Sequence, residues 1–178
     1  MVRPRSGTRR RIQEVARDLF LQQGVQRTSL QDIADKLGIT KPALYYHFAS
    51  REELVRSILV PLIDEGEQFV ADQETRDEID AREVLEGYFD FHYRHRQDLV
   101  LVLAELTMLA ELGLIDKVLA WRDRLGKLVF GPKPTLAQST RAVVAFGGLQ
   151  DCCLQFPDAD HDALRASSVQ AALDALGT

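Results

Sequence analysis

Lys41, Tyr45, Tyr46 and His47 stand within the eleven residues GITKPALYYHF, positions 38–48. Their types suit recognition better than bond-making. A lysine near a helix start reaches a base edge or a phosphate, and tyrosine hydroxyls and an imidazole N–H suit the phosphate oxygens that flank a groove. Catalytic groupings are not evident elsewhere in the chain. There is no Gly-rich phosphate loop, no serine or cysteine nucleophile in a known turn motif, no HExxH and no carboxylate pair held near a histidine. An enzyme is therefore not expected, and no cofactor or metal is implied. His92 and His95, three apart, lack an identifiable third ligand.

Three short helices must position those groups. Ile12, Val15, Ala16, Leu19 and Phe20 recur at helical spacing and predict a first helix that stops near Gly24. Ser29 is an N-cap with Asp32 three residues on. Leu30, Ile33, Ala34 and Leu37 then carry a second helix to Gly38, which supplies a left-handed stop. Thr40 caps the third helix, and Pro42 fits its first turn, where a missing N–H costs nothing. Leu44 and Phe48, at i and i+4, are expected to pack inward on Leu19, Ile33 and Leu37. Lys41, Ala43, Tyr45, Tyr46 and His47 are left on the outer and lateral faces. Three helices with a tight glycine-containing turn before the last form a helix-turn-helix, whose last helix enters the DNA major groove.

The stretch TSLQDIADKLGITKPALYYHFASREEL, residues 28–54, resembles the DNA-binding signature of the tetracycline-repressor (TetR) family of transcriptional regulators. The likeness extends over roughly residues 8–56; beyond them the chain is similar to the family only in length and helicity. It implies DNA contacts at Ser29 and Gln31 in the second helix and at Thr40, Lys41, Pro42, Ala43, Tyr45, Tyr46 and His47 in and before the third. The cation that follows is Arg51, where the family more often has lysine; either charge can meet a phosphate. The family also implies a homodimer on a palindromic operator and, most often, repression relieved by a small-molecule ligand.

Charge divides the 178 residues unevenly. Residues 1–56 hold 11 Lys+Arg against 6 Asp+Glu, whereas residues 57–178 hold 11 against 21, inside a net charge of -5. We read the first part as a DNA-binding domain, with Arg3, Arg5, Arg9, Arg10 and Arg11 as a basic arm able to lie along phosphates. The second, residues 57–178, is read as a helical regulatory and dimerisation domain, so the expected fold class is all-α. Ser50 and Glu53 open a long helix across the boundary, and Pro61 inside it is expected to bend it. After the polar loop ADQETRDEID, helices are predicted at about 80–95, 98–112, 114–129, 136–155 and 161–176. The run DLVLVLAELTMLAELG is apolar enough to be buried on most sides.

Tyr88, Phe89, His92, Tyr93, Met108 and Trp121 gather in the middle of this half. They either fill a core or line a cavity for the effector that the resemblance implies. The last two helices carry more apolar positions than one buried stripe needs, among them Val143, Phe146, Gly147, Leu154, Leu164 and Leu173. In the family, two such helices from each subunit make a four-helix dimer interface. Cys152 and Cys153 are adjacent and read as two small apolar residues. No apolar run approaches the roughly 20 residues of a membrane span, and the basic start is not followed by a signal core, so a cytoplasmic location is expected. Two rival classes remain: a helical protein-interaction adaptor, and a small helical enzyme without specific DNA binding.

Overall fold

The computed structural model describes the backbone of residues 5–111 and 113–177, and the side chains of these except at positions 5, 6 and 108. Among the described residues there are ten helices and no strand: α1 Arg5–Gln23, α2 Leu30–Leu37, α3 Lys41–Tyr45, α4 Arg51–Glu74, α5 Ala81–Arg94, α6 Arg96–Ala104, α7 Leu106–Glu111, α8 Leu114–Phe130, α9 Leu136–Gln155 and α10 His161–Leu176. The expected all-α class is what is found. The chain forms two compact units, one made of the residues up to Leu62 with Gln97–Leu106, the other of Ile63–Arg96 with the residues from Thr107 on. The charge boundary after residue 56 thus falls inside α4.

In the first unit Ile12, Ala16, Ile33, Ala34, Leu44, Phe48 and Leu54 are fully shielded from solvent. Leu19 and Leu37, expected to pack with them, are half-buried. Capping makes the short helices possible. Ser29 Oγ accepts from the Asp32 N–H while Asp32 Oδ2 accepts from the Ser29 N–H, a closed capping box at the start of α2. Gly38, at φ 67°, ends that helix, and Ile39 N–H then reaches back to the Ala34 carbonyl at 3.0 Å. Thr28, 1% exposed, donates to the Gly24 carbonyl at 2.9 Å and fixes the turn that follows α1.

Several expectations are corrected by packing. From Arg5 the basic arm is the beginning of α1, a helix anchored by Ile12 and Ala16; Arg3 lies outside the described residues. At α4 Glu53 N–H does bond Ser50 Oγ, yet the Glu53 carboxylate accepts from Ala49 N–H at 2.7 Å instead of returning to Ser50. Helix α4 runs through Pro61 without a break in its assignment, and that proline is exposed. The segment expected as one buried helix over 98–112 is divided at Glu105. This residue is 7% exposed, and its carboxylate meets the Gln26 side-chain amide at 3.3 Å. Ahead of it, Val100 and Leu103 on α6 are exposed, so that helix is not buried on most sides.

The second unit is built on α5, which packs on α9 and α10, while α8 lies against α9. Arg124 of α8 ties the unit to its part of α4. Its Nε and Nη2 donate to the two Glu74 oxygens at 2.8 and 2.6 Å, and Nη1 donates to Glu67 at 2.6 Å. Trp121 Nε1 donates to the other Glu67 oxygen at 3.0 Å. Gly66 makes this fit possible, because a Cβ there would collide with the Trp121 ring.

Candidate nucleic-acid interface

Helix α3 is only five residues long, yet it carries most of the groups singled out above. Thr40 Oγ1 accepts from the Ala43 N–H at 3.4 Å, which sets its first turn; Leu44, 0% exposed, anchors it. Backbone bonds from Tyr46 to Pro42 and from Phe48 to Leu44 continue the turn beyond Tyr45. Phe48 is the second anchor, so the expected i, i+4 pair does face inward. Lys41, Pro42, Ala43, Tyr45 and Tyr46 are exposed together, with Tyr46 64% exposed, and His47 is half-buried. Lys41 Nζ stands 5.8 Å from the Tyr45 ring centre, and the Tyr46 and His47 rings meet edge to face at 5.4 Å. Lys41 with Tyr45, and Tyr46 with the half-buried His47, therefore form two neighbouring pairs around α3.

Other predicted contacts are engaged within the protein. The Ser29 hydroxyl serves the capping box, whose bonds hold the Asp32 carboxyl below its usual range. Gln31 is exposed, and its amide donates to Asp35 at 2.7 Å. Arg51 departs furthest from the sequence reading. Its guanidinium donates to the Val25 and Gln26 carbonyls at 3.4 and 3.1 Å and to Gln26 Oε1 at 2.9 Å. It is a pin between the start of α4 and the turn after α1. Arg51→Ala should lower the stability of the first unit by about 1–2 kcal/mol, because two backbone carbonyls lose a charged donor. Thermal melts followed by circular dichroism, with DNA titrations across salt, check this. An unchanged melt and a salt slope shallower by about one unit would instead put Arg51 on a phosphate.

Two contributors were missed in the sequence. Gln26 links Arg51 to Glu105, and Arg17 of α1 pairs with Asp98 at 2.6 Å, which explains why Gln97–Leu106 belongs to this unit. The Gln26–Glu105 and Arg17–Asp98 pairs join residues 79 and 81 positions apart, a separation that periodicity does not reveal.

The aromatic group of the second unit fills its core. Tyr88, Phe89, His92 and Trp121 are each at most 4% exposed. The Tyr88 ring lies 5.1 Å from Phe146 and 4.0 Å from His92, and Phe89 stacks on the half-buried Tyr93 at 5.7 Å. The Met108 side chain lies outside the described residues. A cleft of about 200 Å³ between α8 and α9 is lined by Leu119, Arg122, Asp123, Gly126, Ala142 and Val143, not by these rings. Cys153 is fully buried, and burial pushes its thiol up to about 12, consistent with a small apolar role.

The surplus apolar positions divide in the same way. Phe146, Leu164 and Leu173 are buried in their own chain, and Leu154 is half-buried. Gly147 is buried as well, with Arg122 Nη1 3.3 Å from where its Cβ would be. Val143 is exposed. Its exposed neighbours along α9 are Leu136, Val144 and Gly148, and a Cβ on Gly148 would meet nothing within 4 Å.

Fold and interface together define a two-unit, all-α helix-turn-helix protein. Residues 12–58 match the family model of bacterial regulatory proteins, tetR family, and over that stretch the chain is similar to it. Among curated proteins it is 40% identical over 73 residues to the HTH-type transcriptional regulator TtgR of Pseudomonas putida, covering 41% of this chain and 35% of that protein. It is 39% identical over 61 residues to the HTH-type transcriptional repressor KstR2 of Rhodococcus jostii, covering 34% and 30%. The matched stretch thus spans about a third of the length of these relatives. The fold is alike over far more of the chain. A TerR/AcrR-family regulator from Aquifex aeolicus superposes with a TM-score of 0.73 at 22% identity, covering 92% of this chain and 96% of that one. The ketosteroid transcriptional regulator KstR2 of Mycobacterium tuberculosis gives 0.73 at 20% identity, covering 99% and 95%. No helix among the described residues is long and apolar enough to cross a membrane.

Proposed function

We propose that this protein is a sequence-specific DNA-binding transcriptional regulator, a homodimeric repressor that leaves a palindromic operator when a small molecule binds its second unit. The observation that carries the reading is the exposed face of Lys41, Tyr45 and Tyr46 on a helix anchored by Leu44 and Phe48. Groups that bind phosphates and base edges are otherwise hard to explain on one short helix. The test is a gel shift with genomic fragments, followed by selection of the bound DNA. A salt-sensitive complex with a preferred sequence is expected; its absence from the whole pool would favour an adaptor or an enzyme.

A twofold operator asks for a twofold protein. Leu136, Val143 and Val144 give α9 an apolar exposed stripe, and Gly148 leaves room beside it for a close helix approach. Val143→Glu and Gly148→Leu should each convert the dimer to a monomer that keeps its helicity. Gly147→Leu, by contrast, would crowd the Arg122 guanidinium inside the chain, 3.3 Å from where a Cβ would be, and should act on stability instead of on the dimer. Sedimentation paired with circular dichroism separates the two effects, and a dimer that survives both outward-facing changes would remove α9 from the interface.

In this reading the effector is a small molecule, although the rings first considered for its site pack as core. An effector entering among them must displace Tyr88, His92 or Trp121 contacts. The apo core and the effector-bound core would then be two packings of one set of rings.

A further inference from the structure

We propose that Arg9 is a positioning residue for DNA recognition, one that sets the end of α3 from behind instead of binding a phosphate. Three contacts point to this. Arg9 Nη1 donates to the His47 carbonyl at 2.7 Å, its guanidinium lies 4.1 Å over the centre of the Phe48 ring, and Nη2 stands 3.9 Å from Glu53. His47 lies in the turn that continues α3 past its last residue, Tyr45, and a carbonyl there, like those at a helix C-terminus, favours a cationic donor. Arg9 supplies one from α1. The guanidinium lies over the ring of Phe48, which is 0% exposed, and this contact orients the fork while it bonds the neighbouring carbonyl. Glu53 extends the chain of contacts, because its other oxygen accepts from Ala49 N–H at 2.7 Å. One side chain thereby joins α1, the turn that follows α3 and the first turn of α4. Tyr45, Tyr46 and His47 are the residues immediately before this clamp, so a shift of the His47 carbonyl moves the exposed face.

The proposal rests on the DNA-binding reading, and a lysine separates its two possible meanings. Lysine keeps the charge but cannot stack and bond as a planar fork. A phosphate contact would be restored by Arg9→Lys. A positioning role would not. Titrate the selected operator and random DNA with the full chain and with Arg9→Lys and Arg9→Ala, across salt, at a temperature where circular dichroism shows each variant folded. Both variants should lose at least about tenfold in operator affinity, the scale of one charge-assisted hydrogen bond, with the salt slope of the unchanged protein. The backbone amide signals of Tyr45, Tyr46 and His47 should move in both variants without DNA. Operator binding by Arg9→Lys equal to that of the unchanged protein, a slope shallower by about one unit in Arg9→Ala, or unmoved amide signals would each overturn the proposal. Absence of salt-sensitive binding by the unchanged protein would overturn the DNA-binding reading itself, a distinct result.

Discussion

Between pH 6.5 and pH 4 the protein should lose about 3 kcal/mol of stability through His92 alone, and His92→Gln should remove most of that loss. The imidazole is 2% exposed, and Nδ1 lies 2.9 Å from the Tyr88 carbonyl, so Nδ1 carries the hydrogen and the ring is neutral in the folded chain. Burial lowers its pKa from 6.5 to about 4; the Tyr88 carbonyl opposes this shift, while the charge of Arg122 adds to it. The sign follows from proton uptake. Below pH 6.5 the unfolded chain binds a proton at His92 that the folded chain refuses, so stability falls as pH drops and levels off near pH 4. Each pH unit in that window is worth about 1.4 kcal/mol. Carboxylates act lower down. Hydrogen bonds from Arg124 hold Glu67 and Glu74 below 4.5, so their contributions are lost only beneath that value. Urea titrations at half-unit pH steps would test this, and identical slopes for the unchanged and His92→Gln proteins between about pH 6.5 and 4.5 would refute it. The position also bears on function, since the neutral ring touches Tyr88, which packs on Phe146. An effector that brings an anion to His92 would favour the charged ring and so repack the same core.

Lys41→Ala should cost operator binding about 1–3 kcal/mol, a loss of roughly 5- to 150-fold, and should relax sequence preference at one base pair in each half-site. Lys41 is the first residue of α3, exposed, with its ammonium 5.8 Å from the centre of the Tyr45 ring. Among the described residues nothing holds it as Gln26 holds Arg51. A long, weakly engaged cation at the helix start can reach a base edge, whereas a phosphate anchor would affect every sequence alike. Affinities for the selected operator and for the same site scrambled, each measured over a salt series, distinguish the two. Equal losses on both DNAs with a slope shallower by about one unit would reassign Lys41 to the backbone.

The sequence by itself determined α1, α2 and α3 and the residue types exposed on α3. Ser29, Asp32, Gly38 and Thr40 act on bonds within a few residues of themselves, so a local pattern suffices to read them. The inward pair Leu44 and Phe48 is likewise fixed by helical spacing. Tertiary structure decided which polar groups remain available. Arg51 and Arg9 read as phosphate ligands in the sequence; in the fold they also donate to carbonyls of Val25, Gln26 and His47, and such partners are set only when α1, α3 and α4 meet. It also decided that Tyr88, His92 and Trp121 are core, and that Val143 faces out while Phe146, three residues on, faces in. The division of the 98–112 segment has the same origin. Glu105 finds the Gln26 amide 79 positions away, and no periodicity of apolar residues encodes a hydrogen bond across that distance.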